Sequence, residues 1–183
     1  MNFYRNVYAT LCCIGFLLLI IATASPFWMI HHCIDDYIHM GLWIVCSETM
    51  CYKVPSTASM KAAQALMIIA LGISFIALVS SWDLLNRFVN RKVPEAFISS
   101  MANYVAGLCT LCTLMIMYLQ LRIIQLMDTK HLAPDWAFSI SCVACSIYFV
   151  IGTVNLILHG DLVLRERNPT PQVAPTEQIE HSP

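Results

Sequence analysis

Charge is what this chain has least of. Only 11% of its 183 residues are Asp, Glu, Lys or Arg, against about 25% in soluble domains. A surface that faced water throughout would need more, so much of this one faces something else. The net charge is −1, and no basic stretch is interleaved with aromatics, so there is no field to gather nucleic acid. The fingerprints of catalysis are missing too: no HExxH, GxSxG, P-loop or dinucleotide-binding glycines, and no carboxylate pair placed for acid–base work. The reading is therefore non-enzymatic, with no catalytic residue, cofactor or metal. The last residues, His181-Ser182-Pro183, do not form a hydrophobic PDZ ligand, and the one Asn-x-Ser/Thr triplet, at Asn168, is blocked by Pro169.

What is abundant is apolar side chain, at 58%. A helix needs about 20 mainly apolar residues to cross ~30 Å of hydrocarbon. Four windows qualify, at about 7–30, 62–82, 101–121 and 137–158. In the second the only strongly polar residue is Gln64, near one end, and the third and fourth carry no charge. The expected organisation is one four-helix membrane domain over 1–158, with connecting loops at 31–61 and 122–136. Residues 159–183, with four prolines and mixed charge, are expected to be a disordered cytoplasmic tail. Thr170-Pro171 and Ser182-Pro183 in that tail fit proline-directed phosphorylation at Thr170 and Ser182.

Arg5, Arg87, Arg91, Lys92, Arg165 and Arg167 flank one set of span ends, and Lys53, Lys61, Arg122 and Lys130 the other. The excess on the first side places both termini in the cytoplasm. Loops 31–61 and 122–136 are then extracellular or lumenal. Met1–Arg5, an apolar run and Ala22-Thr23-Ala24 imitate a cleavable signal peptide, although an intact first span is the expectation.

The larger outer loop holds Trp28 at its entry, then Gly41-Leu42-Trp43, then Cys46 and Cys51. The two cysteines flank four residues. Strands joined by a four-residue turn set the flanking positions opposite one another, close enough for a disulfide, and an exocytoplasmic loop is oxidising. Two free thiols beside a turn is the other reading. Residues 41–45 and 52–54 are β-prone and Pro55 ends the second run, so a short antiparallel hairpin above the bilayer is expected. Trp28 and Trp43 are expected at the interface, rings buried and N–H groups wet.

This pattern resembles the superfamily of claudins, peripheral myelin protein, epithelial membrane proteins and the lens fibre membrane intrinsic protein. Trp28, Gly41-Leu42-Trp43, Cys46 and Cys51 carry the likeness. The run Ala62-Ala63-Gln64-Ala65-Leu66-Met67 is similar to the claudin run A-A-R-A-L-M, and Asp135-Trp136 with Phe138-Ser139 resembles the entry to the fourth span of the lens protein. The resemblance implies a left-handed four-helix bundle capped by a small extracellular antiparallel sheet, to which the second outer loop adds a strand. Departures narrow it. The four-residue cysteine gap resembles the lens and epithelial membrane branch, Gln64 stands where the family has arginine and so removes a charge that could pair with the loop, and the PDZ tail of claudins is absent.

Other constellations have plainer readings. Cys109-x-x-Cys112 and Cys142-x-x-Cys145 look like zinc ligands, but at 1.5 Å per residue Cys109 and Cys142 lie about 12 and about 22 Å from the cytoplasmic face, so four thiols cannot converge. Small, soft contacts between helices fit them better. Cys12 and Cys13 are expected to pack inside the first span, with palmitoylation the other reading. Cys33 is either free or a link between two copies. His31, His32, His39, Asp35, Asp36 and Glu48 read as a solvated loop, since adjacent histidines on an extended segment point apart. With Lys53, residues 31–58 carry a formal −2, which would favour cations along a paracellular path until the histidines protonate. Asn103, Gln120 and Asn155 are expected to make interhelical hydrogen bonds, and Gly72, Ser74, Gly107 and Gly152 to let helices approach closely.

The functional expectation is a plasma-membrane or junctional tetraspan. It would act in cell–cell contact or membrane organisation by self-association or by binding other membrane proteins in the lipid bilayer. The alternative is a regulatory or escort subunit of another membrane protein; a paracellular pore or barrier ranks last, because the short loop offers little wall.

Overall fold

The computed structural model describes residues 2–32, 37–47, 49–81, 95–127 and 132–167. Four helices, α1 (Asn2–Ala24), α2 (Ala58–Ser81), α3 (Glu95–Met127) and α4 (Trp136–Arg167), enclose one bundle. Each is long and apolar enough to cross a membrane. They form a closed square in which α1 packs on α2 and α4, and α3 on α2 and α4. A five-stranded antiparallel sheet sits across the end where α1 and α3 finish and α2 and α4 begin. Its strands are β1 (Met29–His32), β2 (Tyr37–Met40), β3 (Ile44–Cys46), β4 (Cys51–Lys53) and β5 (Leu132–Pro134), in the spatial order β4-β3-β2-β1-β5.

Cap and bundle share one core. Trp28, Met29, Leu42, Val45 and Leu132 from the cap are buried in the same cluster as Leu19, Ala63, Met67 and Met117 from the helices. On the far side of each helix, apolar residues such as Ile68, Phe75, Leu108 and Val143 are about half exposed. Exposed apolar side chains on a helix that spans lipid need no protein partner.

The helix ends differ from the apolar windows for identifiable reasons. α1 stops at Ala24 instead of running to 30. Ser25 precedes Pro26 and is pushed out of the helical region, and Met29 and Ile30 join strand β1. α2 begins at Ala58, four residues earlier than hydropathy places it, because the Thr57 hydroxyl caps its first turn by accepting from the Met60 N–H at 3.3 Å. α3, at 33 residues, is about 50 Å long and so outreaches ~30 Å of hydrocarbon. α4 continues as helix to Arg167, through residues 159–167 that the sequence assigns to the tail. Thr170 and Ser182 lie outside the described residues.

Polar side chains tie the helices together, within the bundle and, at Gln120 and Ser59, on its surface. The Asn103 amide donates to the Tyr8 hydroxyl of α1 at 2.8 Å, and Gln120 of α3 donates to Ser59 of α2 at 2.5 Å. Ser100 donates to the Gly152 carbonyl at 2.6 Å, and the Cys145 thiol reaches the Gly107 carbonyl at 3.5 Å. Gly107 and Gly152 are close-approach sites, the first facing the Phe149 ring and the Tyr148 Cβ, the second facing the Tyr104 ring. Gly72 is not. A Cβ built there meets nothing within 4 Å, so this glycine faces away from the neighbouring helices, contrary to the sequence expectation.

Candidate functional site

The cap is built around the broken end of α1. The last carbonyls of a helix have no intrahelical donor and must find another. Here two tryptophans supply it. Trp28 Nε1 donates to the Ala22 carbonyl at 2.8 Å, and Trp43 Nε1 donates to the Thr23 carbonyl at 2.9 Å. The Trp28 indole is wholly buried and meets the Phe138 ring of α4 edge-on, at 6.4 Å and 82°. The expectation of wet indole N–H groups is therefore corrected. The Trp28 ring lies in the buried core, the Trp43 ring packs partly buried against it, and their N–H groups end α1. In the Ala22-Thr23-Ala24 run that imitates a cleavage site, Ala22 is fully buried and two of the three carbonyls are engaged.

Gly41 lets the β2–β3 connection lie directly on the turn after α1. A Cβ there would stand 2.5 Å from the Pro26 Cα and 2.9 Å from the Ser25 carbonyl oxygen. The next residue, Leu42, is buried without remainder, and its carbonyl accepts from Gln64 Nε2 at 2.8 Å. Gln64 therefore keeps a tie between α2 and the loop through a neutral amide, with no charge required. Replacing Gln64 with leucine leaves a carbonyl beside a fully buried residue without its donor, which costs about 1–3 kcal/mol. We expect Gln64→Leu to lower the thermal midpoint of the purified protein, and Gln64→Arg, which restores N–H donors, to recover most of that loss.

The hairpin end is fixed covalently. Cys46 and Cys51 are directly paired across β3 and β4 and joined by a disulfide, with the Ser47 N–H donating to the Met50 carbonyl at 2.9 Å. Closing so short a ring stabilises by about 2 kcal/mol through the unfolded loop. The Cys46→Ser/Cys51→Ser double variant is expected to lose that amount in thermal denaturation. The four helices should remain inserted, because their apolar faces are unchanged.

On the opposite edge, Asp135 joins three elements. Its Oδ1 caps α4 by accepting the Trp136 N–H at 2.7 Å, and its Oδ2 lies 3.2 Å from Nδ1 of His39 on β2. Its own N–H donates to the Trp28 carbonyl at 3.0 Å, and the Ala137 N–H donates to the Phe27 carbonyl at 3.1 Å. Phe27 then stacks between His39, at 4.8 Å and 72°, and Trp136, at 5.5 Å. His39 is thus committed to a carboxylate and a ring. Among the described residues, no three His, Cys, Asp or Glu side chains gather where they could hold a metal. Cys33, Asp35, Asp36 and Glu48 lie outside the described residues.

Sequence reasoning had Trp28, Gly41, Leu42, Trp43, Cys46 and Cys51 as shapers of the cap, and the structure gathers all six in or beneath it. It missed the β1–β2 hairpin and the joining roles of Gln64, His39 and Asp135. The alternation of His31-His32 and Tyr37-Ile38-His39-Met40 was the available signal for those strands. It is weak, because histidine suits either face.

Among the described residues the arrangement holds a shape and gathers no metal-binding cluster. The family model described as PMP-22/EMP/MP20/Claudin matches residues 7–155. Among curated proteins, the chain is similar to the lens fiber membrane intrinsic protein of Bos taurus, 26% identical over 149 residues, with 79% of each chain covered. The proteins of the same name in Rattus norvegicus and Mus musculus are each 25% identical to it over 149 residues and the same shares.

Proposed function

The chain belongs to the PMP-22/EMP/MP20/Claudin family, a family of multi-pass membrane proteins, and from that premise we propose that it organises contacts between membranes of neighbouring cells. In this reading it is a non-enzymatic plasma-membrane protein with both termini in the cytoplasm, and the sheet is its outer face. The observation that carries it is the surface of the cap at its β3–β4 end. Ile44 alternates with the buried Val45 and so faces away from the bundle, on the same face as Tyr37, while Met50 stands in the turn; Tyr37, Ile44 and Met50 are 51, 39 and 73% exposed. Lipid explains exposed apolar residues along the spans; in this reading the outer face of the sheet lies beyond it, in water. An apolar, aromatic patch in water marks a protein-binding surface.

The test is cell mixing. Cells without junctions that express the full chain, labelled in two colours, are expected to concentrate it where two expressing cells touch. Ile44→Glu with Met50→Glu should abolish that enrichment while leaving surface abundance unchanged, since both side chains are exposed. Enrichment that survives the double variant would sink the reading. Enrichment absent from the parent, with recovery of a tightly bound second membrane protein, would establish the escort role instead.

A further inference from the structure

A groove runs along the flank of the bundle just below the sheet. Its walls are Met40 at the end of β2, Val54 in the approach to α2, Met60 at the start of α2, and Ile123 with Ile124 on α3; its volume is about 330 Å³. Thr57, Ser59 and Gln120 form its polar rim. The apolar stretches long enough to cross a membrane begin at Ala58 in α2 and end at Leu126 in α3, so the groove lies at the sheet-side end of both, the level at which the proposed orientation puts the headgroups. It opens towards lipid, since Ile123 and the adjacent Leu119 are each 54% exposed.

We propose that this groove binds a sterol from the leaflet on the sheet side. The ligand chemistry follows from the lining. Among the described residues no charged side chain lines it, so none of them offers an ionic headgroup a partner. The rim offers hydroxyls and one amide. Gln120 spends Nε2 on Ser59, which leaves its Oε1 to accept from a lipid hydroxyl, while the Ser59 and Thr57 oxygens, 3.4 Å apart, accept or donate beside it. One hydroxyl at the water boundary above a rigid apolar body is the sterol's design. Walls from a sheet and two helices form a preformed slot, and a rigid occupant loses less conformational freedom on entering it than an acyl chain does. A second cavity of about 340 Å³ between α1 and α4, lined by Leu11, Val143, Ile147 and Val150, makes the contrast. Its one hydroxyl lining, Ser146, is spent on the Cys142 carbonyl, so nothing there selects one lipid over another.

The test uses the full chain in phosphatidylcholine nanodiscs with a diazirine-bearing sterol. Photolabel is expected on the peptides covering 54–60 and 120–124, and unlabelled sterol should displace it. The 3-hydroxyl epimer should compete about tenfold less well, as the loss of one hydrogen bond implies. Gln120→Leu should lower labelling by about the same factor. Ile123→Trp should fill the slot and remove labelling, with the disulfide and thermal midpoint unchanged because Ile123 faces lipid. Leu108→Trp, on the lipid-facing middle of α3, should not alter it. Label spread along the lipid faces of all four helices, equal displacement by diacylglycerol, or labelling that survives Ile123→Trp would overturn the assignment.

Discussion

Trp28→Ala is expected to cost more stability than any other single truncation in the cap, about 3–5 kcal/mol for the emptied ring volume. The side chain is fully buried, and it closes the joint between α1, α4 and the sheet. A second loss comes with it, because the Ala22 carbonyl keeps its burial and loses its donor. Set against a total of about 5–15 kcal/mol for a typical native protein, that is a large share of the whole and, toward the low end of that range, enough to empty the folded population at body temperature. The chain should still insert as four helices, since their apolar faces are untouched, but it should be retained before the cell surface. Trp28→Phe separates the two contributions. It keeps most of the ring contact with Phe138 and removes only the N–H, so its loss should be nearer 1 kcal/mol. Thermal denaturation of the solubilised protein, with surface biotinylation as the cellular readout, gives the order parent, Trp28→Phe, Trp28→Ala. Two variants that melted together would mean that the hydrogen bond, and not the filled volume, closes the joint.

The same joint shows why the spans could be read from sequence while their ends could not. Hydropathy reports which residues tolerate lipid, and that found all four helices. It does not report where the backbone turns. Met29 and Ile30 are as apolar as the helix before them, yet Pro26 turns the chain and they become a strand whose register pairs Met29 with Met40 and Pro134. Thr57, polar and outside the second window, sets the start of α2 through its hydroxyl. The disulfide followed from spacing, because a four-residue turn determines which positions face each other. Gln64 was legible only as a missing charge. Its hydrogen bond to Leu42 needs the two segments, 22 residues apart, to be placed first. His39 and Asp135, 96 residues apart, are the extreme case: no local pattern links them, and only the β1–β5 pairing brings the second loop to the first.

Gly41→Ala makes the sharpest test of that geometry, because the change adds one methyl group and removes nothing. The atoms that it meets, the Pro26 Cα at 2.5 Å, the Ser25 oxygen at 2.9 Å and the Pro26 carbonyl carbon at 3.0 Å, are all backbone. No rotamer change relieves such a contact, so one segment has to move. Both are tethered. The Gly41 N–H donates to the Ile44 carbonyl at 2.9 Å, and the Trp28 N–H donates to the Met40 carbonyl at 3.2 Å. Lifting the β2–β3 connection stretches the Gln64–Leu42 bond beside it and draws Trp43 away from Thr23. The penalty should therefore fall at or above the upper end for overpacking, about 3 kcal/mol. Gly72→Ala is the matched control, adding the same methyl group to a helix position where nothing lies within 4 Å. There the better helix propensity of alanine should stabilise by up to about 1 kcal/mol. The two substitutions are chemically identical and should shift the thermal midpoint in opposite directions. If Gly41→Ala instead matched Gly72→Ala, the cap would rest on α1 more loosely than its two tryptophans imply, and its shape could not be what a partner reads.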